Sequence, residues 1–189
     1  MRFRRSKLGG VLAAVALVAV SAIGLRLSDP EDTFEVVRGV HGKPVTINDG
    51  ELTVDRVRVG AALMEYDEVR DRTAGMFVAV TVTGAATGPK QFNLGSAELV
   101  SNDLRYKSYR LTAVTAAPGF KTSTDILFEV DPARIDGLTL EMWQNEVISG
   151  YQQRVRIPLG ITAANAEQWR AAARDPGIEV SSNTTGAIP

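Results

Sequence analysis

The nine residues "MFVAVTVTG" (76–84) set Met76, Val78, Val80 and Val82 at every second position, with Phe77, Ala79, Thr81 and Thr83 between them. A period of two sends those four apolar side chains to one face of an extended strand, and β-branched residues favour extended over helical backbone. Such a face has to be buried against a second layer, so this stretch commits the chain to a sheet-based fold.

Similar runs flank it. "FEVVRGV" (34–40) predicts a first strand. "VTINDGELTV" (45–54) places Asn48-Asp49-Gly50 between two β-rich runs, a hairpin signal because these residue types tolerate positive φ. Leu52 and Val54 share one face, whereas Val57 and Val59 continue on the opposite parity. That change predicts a bulge near Asp55 and Arg56, or a strand buried on both sides. Residues 64–75, "MEYDEVRDRTAG", read as a solvated, mobile loop. "QFNL", "AELVS" and "LRYKSYRL" supply further short strands.

In "APGFKTSTDILFEVDP" (117–132), Pro118-Gly119 opens a strand that points Ile126, Phe128 and Val130 inward, and Pro132, with no N–H to donate, ends it. "DPARIDG" predicts one helical turn capped by Asp131 and closed by Gly137. Leu138, Leu140 and Met142 begin the next strand, and "QRVRIPL" another. "TAANAEQWRAAARDPG" (162–177) predicts a short helix within 161–176, capped by Thr162 and docked through Trp169 and its alanines. The polar end, 177–189, reads as a disordered tail. Seven or eight short strands without long helices between them predict an all-β antiparallel sandwich over 34–160. With no cysteine in 189 residues, packing and hydrogen bonds must hold it together.

The amino terminus has a different chemistry. Arg2, Arg4, Arg5 and Lys7 precede an apolar stretch from Leu8 to Leu25 broken only by Ser21. As a helix it is about 27 Å long, near the roughly 30 Å of a bilayer's hydrocarbon. Extended to Leu27, with Arg26 snorkelling, residues 8–27 form a transmembrane signal anchor whose basic side stays cytoplasmic. A signal peptide cut near Val20-Ser21-Ala22 is the alternative. Either reading sends residues 28–189, a linker (28–33) and the domain, outside the cytoplasm.

That exported part carries 16 basic against 22 acidic residues. An acidic balance argues against binding a phosphate backbone, so no nucleic acid is expected. His41 is the only histidine and falls in a turn, which leaves a two-His metal site impossible within one chain and a catalytic triad dependent on that residue. Glu65, Asp67, Glu68 and Asp71 are acidic enough for calcium, but Arg70 and Arg72 offset them and the spacing is not an EF-hand loop. Neither catalytic, metal nor cofactor residues are expected. Tyr106 and Tyr109 fall on opposite faces of one strand, and with Trp143, Tyr151 and Trp169 they are the candidate binding surface, since aromatic side chains concentrate binding energy.

The segments "GKPVTINDGELTVDRVRV", "GMFVAVTVTG", "LVSNDLRYKSY", "PGFKTSTDILFEVDP" and "LTL", spanning about residues 39–143, resemble the telokin-like, immunoglobulin-like domain of bacterial lipoproteins and membrane-anchored exported proteins. The chain departs from that pattern at Thr83-Gly84, where Asn is common, at Asn102-Asp103-Leu104, and in lacking the lipidated cysteine. The resemblance implies an immunoglobulin-like sandwich outside the cytoplasm and transfers no functional residue. The expected role is a noncatalytic interaction or assembly module that engages an envelope or membrane protein. A cell-wall glycan or lipid-binding module is the alternative, and a hydrolase the third reading.

Overall fold

The computed structural model of the chain describes residues 34–110, 113–144, 152–174, 177–181 and 183–188. In chain order the strands are β1 (Phe34–Arg38), β2 (Val45–Ile47), β3 (Gly50–Glu65), β4 (Glu68–Ala85), β5 (Phe92–Leu94), β6 (Ser96–Ser101) and β7 (Leu104–Lys107). They continue with β8 (Val114–Ala116), β9 (Phe120–Val130), β10 (Thr139–Trp143), β11 (Gln152–Pro158), β12 (Gly177–Glu179) and β13 (Thr184–Ala187). Among the described residues one α-helix, α1 (Ala166–Ala172), lies between β11 and β12.

Sheet I runs β1-β11-β10-β6-β7 and sheet II runs β12-β3-β4-β9-β13, with β2 also on β3 and with β5 and β8 paired separately. Every pairing in sheet II is antiparallel except that of β12 with β3. The chain is therefore an antiparallel β-sandwich, as its short alternating strands predict. The core lies between the sheets, where Val78, Val80, Val82, Ile126 and Phe128 of sheet II meet Leu99, Leu140, Met142, Val155 and Ile157 of sheet I.

Local signals explain several junctions. Ile47 pairs with Gly50, so the hairpin turn is Asn48-Asp49, with Asn48 at φ 51. Gly50 is needed for packing instead: a Cβ there would lie 2.4 Å from the Phe92 ring, and one on Gly84 2.7 Å from it. Phe92 thus seats on two bare backbones. The register of β3 against β4 shifts between Val54 and Arg56, which is the expected bulge at Asp55. Asp131 accepts from the Ala133 N–H to cap a single 3₁₀ turn (Pro132–Arg134), and Gly137 follows at φ 73.

Three expectations need correction. Residues 64–75 are not a loop: β3 and β4 continue beyond Gly60 as a hairpin arm that closes at Tyr66-Asp67, with φ 54 and 62. The turn was hidden because neither residue is glycine. The helix is shorter than 161–176, and Asn165 occupies its cap position, while the Thr162 carbonyl accepts from the Asn165 and Ala166 N–H groups and the Thr162 N–H donates to Asn165 Oδ1. Its Ala166 and Ala173 are buried and Trp169 packs on the core, as expected. The tail is ordered into β12 and β13, whose backbone groups find partners on the two edges of sheet II. An unpaired sheet edge recruits even a polar strand when its residues are β-branched, as Ile178, Thr184 and Thr185 are.

Among the described residues no helix is long and apolar enough to cross a membrane. The expected anchor at 8–27 lies outside the described residues, as do the linker at 28–33 and Tyr151.

Candidate functional site

The outward face of sheet II is built by residues of odd number in β9 and the first part of β3. Register aligns Thr53 with Thr83, Thr83 with Ser123, and Ser123 with Thr184, so one row of four hydroxyl side chains crosses four strands. The next row is Glu51, Ala85, Lys121 and Gly186. These residues, with Asp55, Thr87, Thr185 and Ile188, enclose an open groove of about 540 Å³. The Thr83 hydroxyl donates to Asp55 Oδ2 at 2.6 Å, which fixes its direction.

The other half of that face is sealed. β12 lies on the β3 edge and β13 on the β9 edge, and Val180 and Ser181, which follow β12, lie over the face between them. On that face Leu63, Phe77, Ala79, Leu127 and Ile178 form a second buried cluster joined by Val180. Asp125, whose side chain is fully buried, secures this cover. Its carboxylate accepts from the Ser181 N–H at 2.8 Å, from Thr81 Oγ1 at 2.6 Å and from Arg58 Nη2 at 2.5 Å. Arg58 Nη1 in turn donates to the Glu179 carbonyl at 2.6 Å. Burial by itself raises the Asp125 carboxyl, but the bonds from Thr81, Arg58 and Ser181 together hold it below the ordinary carboxylate range. Thr124 Oγ1 donates to Asn183 Oδ1 at 2.5 Å, and the Thr122 and Thr185 hydroxyls meet at 3.2 Å, which joins β13 to β9 through side chains as well.

The aromatic candidates are dispersed. Tyr106 aligns with Leu99 on the inner face of sheet I and packs against the core; burial pushes its hydroxyl up. Trp143 aligns with Ser96 and Arg154 on the outer face, and the Arg154 guanidinium lies 4.4 Å from its ring centre. Tyr109 lies beyond the end of β7 against sheet II, where its backbone N–H donates to the Leu127 carbonyl. Its ring meets Phe77 edge to face at 5.4 Å and its hydroxyl donates to Asp71. That bond raises the Tyr109 hydroxyl and lowers the Asp71 carboxyl. Trp169 is half-buried on the core. These four residues therefore serve different faces.

Sequence reasoning also missed the outer face of sheet I. There Glu141, 2% exposed in its side chain, lies among Arg156 Nε at 2.7 Å, Arg105 Nη1 at 3.0 Å and Arg154 Nη1 at 3.7 Å. This is a cross-strand ion network, since Glu141 aligns with Arg156 and with Glu98. The bond to Glu141 raises the Arg105 guanidinium, while burial lowers that of Arg154. His41 is exposed in the turn after β1. Among the described residues no group of three or more His, Asp or Glu side chains is arranged to hold a metal ion.

No family model matches the chain. No curated protein matches it either. Three solved structures are similar at low identity. The candidate lipoprotein ycdA of Bacillus subtilis is 16% identical with a TM-score of 0.40, over 60% of this chain and 38% of that one. An uncharacterized β-sandwich protein of Clostridium difficile is 10% identical with a TM-score of 0.41, over 65% of this chain and 95% of that one. The yjhA protein of Bacillus subtilis is 13% identical with a TM-score of 0.40, over 79% and 98%.

Proposed function

We propose that the chain is a noncatalytic binding module of the bacterial cell envelope, built on the telokin-like, immunoglobulin-like plan. Residues 8–27 hold it to the membrane and display the sandwich on the outer side. Its role is interaction or assembly, with the groove on sheet II as the contact surface. The observation that carries this reading is the groove itself, an open surface of mixed polar and apolar character laid on sheet II and bordered by the chain's own last strand. Its volume falls within the roughly 300–1,000 Å³ of ligand sites. A lining of hydroxyls, two carboxylates and one ammonium is suited to holding a polar partner.

The test uses full-length protein solubilised from membranes and incubated with envelope fractions. Ala85→Trp, which fills the groove between Glu51 and Lys121, should abolish retention of whatever the native chain retains. Equal retention by both proteins would remove the groove from the function. Release of new reducing ends from envelope polysaccharide, lost in Glu51→Gln, would contradict the noncatalytic reading and favour a hydrolase.

A further inference from the structure

We propose that the groove takes a linear, uncharged polysaccharide of β-linked pyranose units lying across the strands. This assignment rests on the binding-module reading and names its occupant. Thr53, Thr83, Ser123 and Thr184 are in direct register on neighbouring strands. Strands are about 4.8 Å apart, so a hydroxyl recurs at a step close to the length of one sugar ring in an extended chain. Each hydroxyl both donates and accepts, which suits a ligand whose own hydroxyls do the same. Because Thr83 donates to Asp55, its oxygen is left to accept from the ligand. In the adjacent row Glu51 supplies an acceptor and Lys121 a donor, with the small Ala85 side chain between them and Gly186 beyond Lys121.

The other polymer classes fit poorly. A peptide strand needs unpaired backbone groups, which the floor does not offer, because it is a sheet face whose N–H and C=O groups bond along the ladder. A lipid chain needs a lining free of charge, whereas Glu51, Asp55 and Lys121 line this groove. Glu51 and Asp55 repel a phosphodiester backbone. With no aromatic ring in the lining, single-site binding is weak and retention on a polymer surface comes from several copies acting together.

Saturation-transfer NMR on the full-length chain in detergent reads this directly, using the hexamer of β-1,4-linked N-acetylglucosamine, cellohexaose and free glucose as probes. The expected result is transfer to at least one hexamer well above that to glucose. Transfer should fall about fivefold or more in the double variant Thr83→Val/Ser123→Ala, which removes two hydroxyls with little change in shape, while its thermal unfolding stays close to native. No transfer to either hexamer, or equal transfer with the double variant, overturns the polysaccharide assignment. If retention of envelope material in that case still depends on Ala85, the binding-module reading stands with another occupant; if it does not, both fall.

Discussion

The two halves of the outer face of sheet II are made by the same strands and differ in what lies on them. Over Phe77, Ala79 and Leu127 the returning chain closes a buried apolar cluster. Over Thr53, Thr83 and Ser123 it stays at the edge and leaves a groove. The difference follows from side-chain chemistry along β4, which changes on its outward face from Phe77 and Ala79 to Thr81 and Thr83 within seven residues. Apolar residues need a cover to leave water, and hydroxyls do not. Asp125 sits at the boundary and marks where the cover ends, because its carboxylate binds the covering backbone at Ser181.

Removing residues 177–189 should break the contrast most completely. Loss of the buried Ile178 side chain and of the Ser181 bond to Asp125 should lower stability by about 3–6 kcal/mol in urea unfolding, and the groove should lose its side. Phe77→Ala attacks only the sealed half and should cost about 3–5 kcal/mol by the same measurement. Asp125→Asn breaks the pair with Arg58 and should cost about 2–4 kcal/mol.

The pH dependence sharpens the boundary further. The folded Asp125 carboxyl lies below its unfolded value, so its contribution is fully present above the ordinary carboxylate range and is lost as pH falls through the folded value. Native protein should therefore lose stability below about pH 4, and Asp125→Asn should flatten that acid limb. Asp71, also lowered, contributes with the same sign through Tyr109, so Asp71→Asn is the control that separates the two. Thr83→Val tests the open half alone: stability should change by less than about 0.5 kcal/mol, and the readout is binding.

Much of the sandwich was legible because the deciding signals are local. Alternation named Val78, Val80, Val82, Ile126 and Phe128 as inward, opposite parity at Val57 located the bulge, and Asp131, Pro132 and Gly137 described their own turn. The site was not legible, for reasons of the same kind. Its row of hydroxyls comes from residues as far apart as Thr53 and Thr184, and exposed threonine is ordinary on any strand, so no window of sequence shows the alignment. The tail looked disordered because the partners of Ile178 and Thr184 are the distant edges of β3 and β9. Aromatic residues are frequent binding groups, yet here Tyr106 and Trp169 pack on the core and Trp143 sits against Arg154.

Native-state hydrogen exchange on the full-length chain tests most directly whether the last residues belong to sheet II. Backbone amides of Ile178, Ser181 and the alternate residues of β13 that bond to β9 should exchange orders of magnitude more slowly than in a free peptide, and Asp125→Asn should speed Ser181 first. Free-peptide exchange rates throughout 177–188 would contradict both the sealed half and the groove.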